Sequence, residues 1–144
     1  MTDLVQFLRD RLAEDEATAR AATPGPWKQS GIGEYGWGVS FSSPGAGVEA
    51  DDSAQGRADA DHIARHHPDR VLREVEGRRQ LLALHEPTMN VGTDSDPDDP
   101  ATYVMCCGTC QIEVVKPGDW PCEHLRLLAL PYADHPDYDE AWRP

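Results

Sequence analysis

A chain of 144 residues has the length of a single domain, and its net charge of −13 would repel the phosphates of DNA or RNA. Hydrophobic residues make up 39 %, which predicts a modest core that a bound metal ion would help to stabilise. The chain does not open with a basic segment followed by an apolar run, and its longest apolar stretch is interrupted by Pro131. These features predict a cytoplasmic protein that neither spans a membrane nor binds nucleic acid directly.

The first predicted element is a helix over residues 3–22. Asp3 is a candidate N-cap, and Gln6 stands three positions later, as in a capping box. Residues 23–26, Thr-Pro-Gly-Pro, end the helix because proline lacks an amide proton. Leucines that recur every four residues give this helix one apolar stripe: Leu4, Leu8 and Leu12.

A glycine-rich segment follows over residues 27–50. Trp37, Val39 and Phe41 alternate with small residues, which indicates a half-buried strand, and we expect two or three short antiparallel strands. Residues 51–56 are predicted to form a loop. Two helices come next, over residues 58–66 and 68–84, the second opened by Pro68.

The C-terminal part is predicted to begin after an acidic loop at residues 87–100. Two strands, at residues 103–106 and 111–115, would flank the turn Cys107-Gly-Thr-Cys110. Pro121 would then open a helix that ends at Pro131. The predicted fold is α+β over one domain, 1–144. Residues 1–86 supply the N-terminal helix, the small antiparallel sheet and the central helices, and residues 101–144 supply a hairpin and helix like those of a zinc ribbon or treble clef.

All four cysteines of the chain lie between positions 106 and 122. Cys107 and Cys110 have the Cys-x-x-Cys spacing of a metal-binding knuckle, and Cys122 lies at a predicted helix N-terminus, where the helix dipole favours a thiolate. Clustered cysteines in the reducing cytoplasm favour a metal over disulfides. The sequence therefore predicts one zinc ion held by Cys107, Cys110 and Cys122.

The fourth ligand has three candidates. His85, at the end of the long helix, is favoured because it would tie the two parts of the chain together. His124 is nearer to Cys122, but residues two apart on a helix point in different directions. Cys106 is adjacent to Cys107, and neighbouring side chains of a strand point to opposite faces. An iron–sulfur cluster that recruits Cys106, and reduced cysteines without any metal, remain as alternatives.

Three weaker patterns point to other chemistry. Asp59, His62 and His66 share one helix face and are the candidate ligands of a metal-dependent hydrolase, although such a face is more often only solvated. Residues 31–36 match Gly-x-Gly-x-x-Gly, but a strand is predicted after them, where a dinucleotide site needs a helix. Residues 94–105 begin like a calcium loop but lack its glycine and its final glutamate.

The chain has a resemblance to known proteins that runs from end to end, beginning with Leu4-Val5 in the opening helix and continuing through four longer motifs. They are Ala22-Thr-Pro-Gly-Pro-Trp27, Asp61-His-Ile-Ala-Arg-His66, Leu125-Arg-Leu-Leu-Ala-Leu-Pro-Tyr-Ala-Asp-His-Pro-Asp-Tyr138 and Trp142-Arg-Pro144. The chain resembles a family of small acidic proteins of unknown function from actinobacteria, notably streptomycetes, and their phages. The resemblance implies a cytosolic accessory role, and it implies no activity.

The function expected from these features is that of a small, non-enzymatic interaction or accessory protein that carries a structural zinc. Its partner is expected to be a protein, while its oligomeric state stays open. The main alternative is a nucleic-acid-related role, either as an acidic mimic that occupies a nucleic-acid-binding protein or as a zinc-ribbon binder. A hydrolase built on Asp59, His62 and His66 is the weaker alternative.

Overall fold

The structure is a computed structural model that describes residues 3–90, 96–102, 104–107, 109–110 and 121–144, with the backbone alone at residues 88–90 and 104–106. The described chain is α+β, as predicted, with an N-terminal helix, a three-stranded antiparallel sheet and central helices. Its backbone divides into two compact units. One is Ala13–Glu76, and the other combines Met1–Leu12 with Gly77–Pro144.

Helix α1 spans Leu4–Ala21, within one residue of its predicted bounds. Asp3 caps it, because its Oδ1 accepts a hydrogen bond from the Val5 amide at 3.3 Å. The Gln6 side chain, which a capping box would direct back to the Asp3 amide, donates a hydrogen bond to Asp10. The predicted apolar stripe is buried, with Leu4, Leu8 and Leu12 each at most 2 % exposed.

The sheet consists of β1 (Lys28–Ile32), β2 (Gly36–Ser40) and β3 (Gly47–Asp51), paired antiparallel in that order. Val39 of the central strand lies opposite Val48 and is 2 % exposed. Trp37 is half-buried, and the guanidinium of Arg57 lies 5.0 Å from the centre of its indole ring. The prediction of two or three short antiparallel strands is confirmed, with Val39 buried and Trp37 and Phe41 half-buried.

Helix α2 spans Ala54–Arg65 and begins four residues earlier than predicted. Ser53 starts it, because its hydroxyl oxygen accepts a hydrogen bond from the Gly56 amide at 2.9 Å. Part of the predicted loop at residues 51–56 is therefore helix. Helix α3 spans Pro68–Leu84, as Pro68 at its first turn predicted.

Strand β4 (Pro87–Asn90) occupies the start of the segment predicted as an acidic loop. It pairs antiparallel with β5 (Val104–Cys107), with Pro87 opposite Cys107. A four-residue strand that begins with proline carries no alternating pattern, so only its pairing with β5 defines it. The second predicted strand, at residues 111–115, lies outside the described residues.

Helix α4 spans Glu123–Ala129, and two short 3-10 turns follow at Leu130–Tyr132 and Glu140–Trp142. The segment after α4 packs on Phe7 of α1, which is 1 % exposed. Four rings surround the Phe7 ring at centroid distances of 5.0 to 6.2 Å: Tyr132, His135, Tyr138 and Trp142. The closing motif of the sequence therefore builds part of the core around α1. Across the described residues, the helices are too short or too polar to cross a membrane.

Candidate metal centre

His85 follows directly on the last residue of α3. Its amide donates to the carbonyl oxygens of Leu81 and Leu82, so it continues the last turn of the helix, and it is 6 % exposed. Two residues later the chain enters β4, where Pro87 pairs with Cys107 of β5. This short connection from helix to strand brings His85 beside Cys107.

Cys107 and Cys110 form a knuckle after β5. The Cys110 amide donates a hydrogen bond to the Cys107 sulfur at 3.4 Å. The hydroxyl of Thr109, inside the knuckle, donates to the carbonyl oxygen of Leu84 and so joins the knuckle to the end of α3. A helix C-terminus leaves such carbonyl oxygens without intrahelical partners, which the Thr109 hydroxyl compensates. No pattern in the sequence indicates this contact.

Cys122 is the N-cap residue of α4, with extended backbone angles of φ −65° and ψ 158°. Its carbonyl oxygen accepts from the amides of Leu125 and Arg126, and the residue is 8 % exposed. The helix therefore begins one residue after Cys122, two residues later than the predicted start at Pro121. This placement leaves the Cys122 side chain at the helix N-terminus.

The ligand atoms of His85, Cys107, Cys110 and Cys122 all lie within 4.8 Å of one another. The His85 Nδ1 is 3.2 Å from the Cys107 sulfur, 3.5 Å from the Cys110 sulfur and 3.8 Å from the Cys122 sulfur. A tetrahedral ion with metal–nitrogen and metal–sulfur bonds of about 2.0 and 2.3 Å would place its ligand atoms about 3.5 to 3.8 Å apart. The three cysteines are free thiols. The cluster could therefore hold one metal ion.

The three thiols of the cluster influence one another's pKa values. Burial raises the pKa of the Cys110 thiol to about 12, and hydrogen bonding to Cys107 and the charges of the other thiolates add to the rise. Burial also raises the pKa of Cys122. Burial opposes a thiolate at Cys107 as well, but hydrogen bonds from the backbone of Cys110 and Thr109 lower its pKa. Metal-free, the cluster thus favours its first negative charge on Cys107.

The surroundings of His85 favour the neutral form of its imidazole. Burial, and then the neighbouring charge of His124, lower the pKa of His85. A neutral imidazole is the form that binds a metal through nitrogen. His85 can therefore act as a ligand near neutral pH without first losing a proton.

The two other candidates for the fourth ligand are His124 and Cys106. His124 is exposed, and its ring stacks on that of His85 at a centroid distance of 4.4 Å. Its Nδ1 lies 3.5 Å from the Cys110 sulfur, so this candidate lies next to the cluster although it is not one of the four clustered residues. The Cys106 side chain lies outside what the structure describes, while its backbone pairs with Thr88.

The other predicted site residues do not converge. Across the described ranges, the only group of three or more ligand-capable side chains is the His85 cluster, so Asp59, His62 and His66 form none. Asp59 accepts from Gln55, and the His66 Nδ1 donates to the His62 carbonyl oxygen. Residues 31–36 join β1 to β2, so the helix that a dinucleotide site needs is missing there. The start of the calcium-like segment, residues 94–95, lies outside the described residues.

Comparison with known proteins places the whole chain in one family. Neither the curated proteins nor the solved structures contain a significant match to it. The model of a family of unknown function, DUF6221, matches residues 1–144. The chain therefore belongs to the DUF6221 family, whose function is unknown.

Proposed function

We propose that this protein is a small, non-enzymatic interaction or accessory protein whose C-terminal part is stabilised by a structural zinc ion. The observation that carries the proposal is the convergence of one imidazole nitrogen and three thiol sulfurs within 4.8 Å. These atoms come from the end of α3, the end of β5, the knuckle and the start of α4. An ion bound there would link segments that are distant in the sequence.

The donor set favours zinc over other metals. Three thiolates with one imidazole form one of the standard structural zinc sites, and soft thiolate ligands disfavour magnesium and calcium. A four-cysteine iron–sulfur cluster would need a fourth thiolate in place of His85. Three of the four ligands are buried, which suits a site that holds its metal permanently.

The same set favours a structural over a catalytic role. Four protein ligands fill a tetrahedral coordination sphere, whereas catalytic zinc sites keep one position for water or substrate. Zinc binding in such sites is coupled to folding, with apparent free energies of about 10 to 16 kcal/mol in zinc-finger peptides. We therefore assign the ion to the stability of the fold.

The net charge of −13 supports a partner with a basic surface, since charge complementarity accelerates association and disfavours competing partners. A nucleic-acid-binding protein is one such partner, which keeps the acidic mimic as the second candidate. The proposal includes a cytoplasmic accessory role in actinobacteria or their phages, because the closing motif resembles that of such proteins.

The proposal is tested by elemental analysis of protein expressed with ample zinc and iron. We expect about one zinc per chain and no iron, followed by a lower melting temperature after chelation and recovery when zinc is returned. Protein that folds and melts normally without any metal would overturn the structural assignment. For the partner, capture at low and at 0.5 M salt should recover a basic protein whose yield falls as salt screens the charges. Salt-independent capture of an acidic protein would contradict the charge argument.

A further inference from the structure

Among the described residues, a fifth ligand-capable side chain, that of His124, lies beside the four clustered residues of the candidate metal centre. Its Nδ1 lies 3.5 Å from the Cys110 sulfur, the same distance that separates this sulfur from the Nδ1 of His85. The two imidazole rings are nearly parallel, with an interplanar angle of 14°. His124 therefore stands beside the cluster with a nitrogen directed at one particular ligand, Cys110.

Cys110 is the most accessible of the three thiols. Cys107 and Cys122 are 6 % and 8 % exposed, whereas Cys110 is only partly buried. Of these three residues, we therefore expect Cys110 to be the first that an electrophile in solvent reaches. The ligand that is easiest to lose is the one that has a second imidazole next to it.

We infer that His124 is a reserve ligand that takes the corner of Cys110 when that thiolate is lost. The inference rests on the metal binding proposed above. The site would change from three cysteines and one histidine to two and two, and both sets are standard for structural zinc. The change also removes one negative charge, so that two thiolates balance the two charges of the ion.

The geometry permits the exchange. Zinc–nitrogen bonds of about 2.0 Å are slightly shorter than zinc–sulfur bonds of about 2.3 Å, so the nitrogen must move nearly to the position left by the sulfur. That position is 3.5 Å from the Nδ1 of His124. The His124 side chain is exposed on the first turn of α4, so a change of rotamer can supply the movement without opening the core.

The experiment compares cobalt and zinc binding by wild type, Cys110→Ala, His124→Ala and the double variant. Cobalt is the probe because its thiolate charge-transfer absorption reports how many sulfurs bind. We expect His124→Ala to bind zinc nearly as wild type does, with an unchanged cobalt spectrum. Cys110→Ala should still bind one ion, with reduced charge-transfer absorption and an affinity about tenfold weaker, and the double variant should bind at least about tenfold more weakly again.

Two controls complete the test. Cys122→Ala should lose more zinc affinity than Cys110→Ala, because the inference provides a reserve imidazole only for the corner of Cys110. His66→Ala removes an exposed histidine at the C-cap of α2, outside the cluster, and, combined with Cys110→Ala, should change nothing further. If Cys110→Ala and the Cys110→Ala/His124→Ala variant bind zinc with equal affinity, His124 is not a reserve ligand and the inference is overturned. Wild type that binds no metal would overturn the proposed function itself.

A second measurement tests the inference even if the Cys110→Ala variant does not fold. Folded zinc-bound protein that carries Cys106→Ala, so that the clustered cysteines are its only thiols, is treated with limiting iodoacetamide, which forms a sulfur–carbon bond with the thiolate and releases iodide. We expect peptide mapping to find the modification at Cys110, and native mass spectrometry to find zinc retained in this protein and lost when His124→Ala is added. Modification at Cys107 or Cys122 first, or equal retention of zinc in both proteins, would contradict the inference.

Discussion

The Nδ1 of His85 lies 3.2 Å from the sulfur of Cys107, although twenty-two positions separate the two residues in the chain. The contact exists because β4 begins two residues after His85 and pairs Pro87 with Cys107. A metal bound between the two residues would fix the end of α3 to the edge of the small two-stranded sheet. The stability of this unit should therefore depend on the cluster.

The variant Cys107→Ala should remove zinc and destabilise the fold. It deletes a buried ligand, so the remaining three cannot complete the coordination sphere, and we expect a loss of about 3 kcal/mol or more. Chemical denaturation in the presence of zinc measures the change. The matched control is Cys106→Ala, which leaves the four clustered ligands intact and should keep one zinc per chain. Loss of zinc in Cys106→Ala would instead identify Cys106 as a ligand.

Zinc affinity should fall as the pH falls. Burial raises the pKa of Cys110 to about 12 and also raises that of Cys122, so both thiols carry protons at neutral pH in the metal-free protein. Zinc needs the thiolates and must displace these protons, and lower pH favours the protonated, metal-free form. Because the pKa of His85 is lowered, its proton contributes only at more acidic pH.

Calorimetry in buffers of different ionisation enthalpy measures the protons that are released. We expect at least about two per zinc near pH 7.5, and an apparent affinity that changes about a hundredfold per pH unit. An affinity that is independent of pH between 6 and 8 would show that these thiols are not the ligands.

The variant Phe7→Ala should unfold more readily because it empties the centre of the aromatic cluster formed with the closing segment. The Phe7 side chain is 1 % exposed, and removing a buried phenylalanine costs about 3 to 5 kcal/mol. Urea denaturation measures the difference. Tyr35→Ala is the control, since Tyr35 is 78 % exposed and should change stability by less than about 0.5 kcal/mol. Similar losses in both variants would contradict the packing.

Two helical glycines should respond to alanine with opposite signs. A Cβ at Gly56 would lie 1.8 Å from the carbonyl oxygen of Asp51, so Gly56→Ala must displace α2 from the end of β3, at a cost of about 1 to 3 kcal/mol. At Gly77, apart from the adjoining residues and the backbone of α3 itself, no atom lies within 4 Å of the added carbon, and Gly77→Ala should stabilise α3 by about 0.5 to 1 kcal/mol. Thermal melting of both variants tests the pair, and a stabilising Gly56→Ala would refute the close approach.

The sequence by itself determined the elements whose signals are local. The spacing of Leu4, Leu8 and Leu12 defined α1, and Pro68 defined the start of α3. The Cys-x-x-Cys spacing identified two members of the cluster. These signals work because periodicity, proline geometry and ligand spacing act within a few residues along the chain.

Only the tertiary structure decided which distant groups meet. Nothing in the composition of Pro87–Asn90 marks it as a strand, and its pairing with β5 is what brings His85 to Cys107. The nearness of both imidazoles to Cys110 depended on where α4 begins. With Cys122 as the N-cap, the Nδ1 atoms of His85 and His124 each lie 3.5 Å from the Cys110 sulfur. The closing motif was recognisable as a pattern, but its contact with Phe7 was not. Such contacts depend on packing between segments that are far apart in the chain, which local sequence signals do not encode.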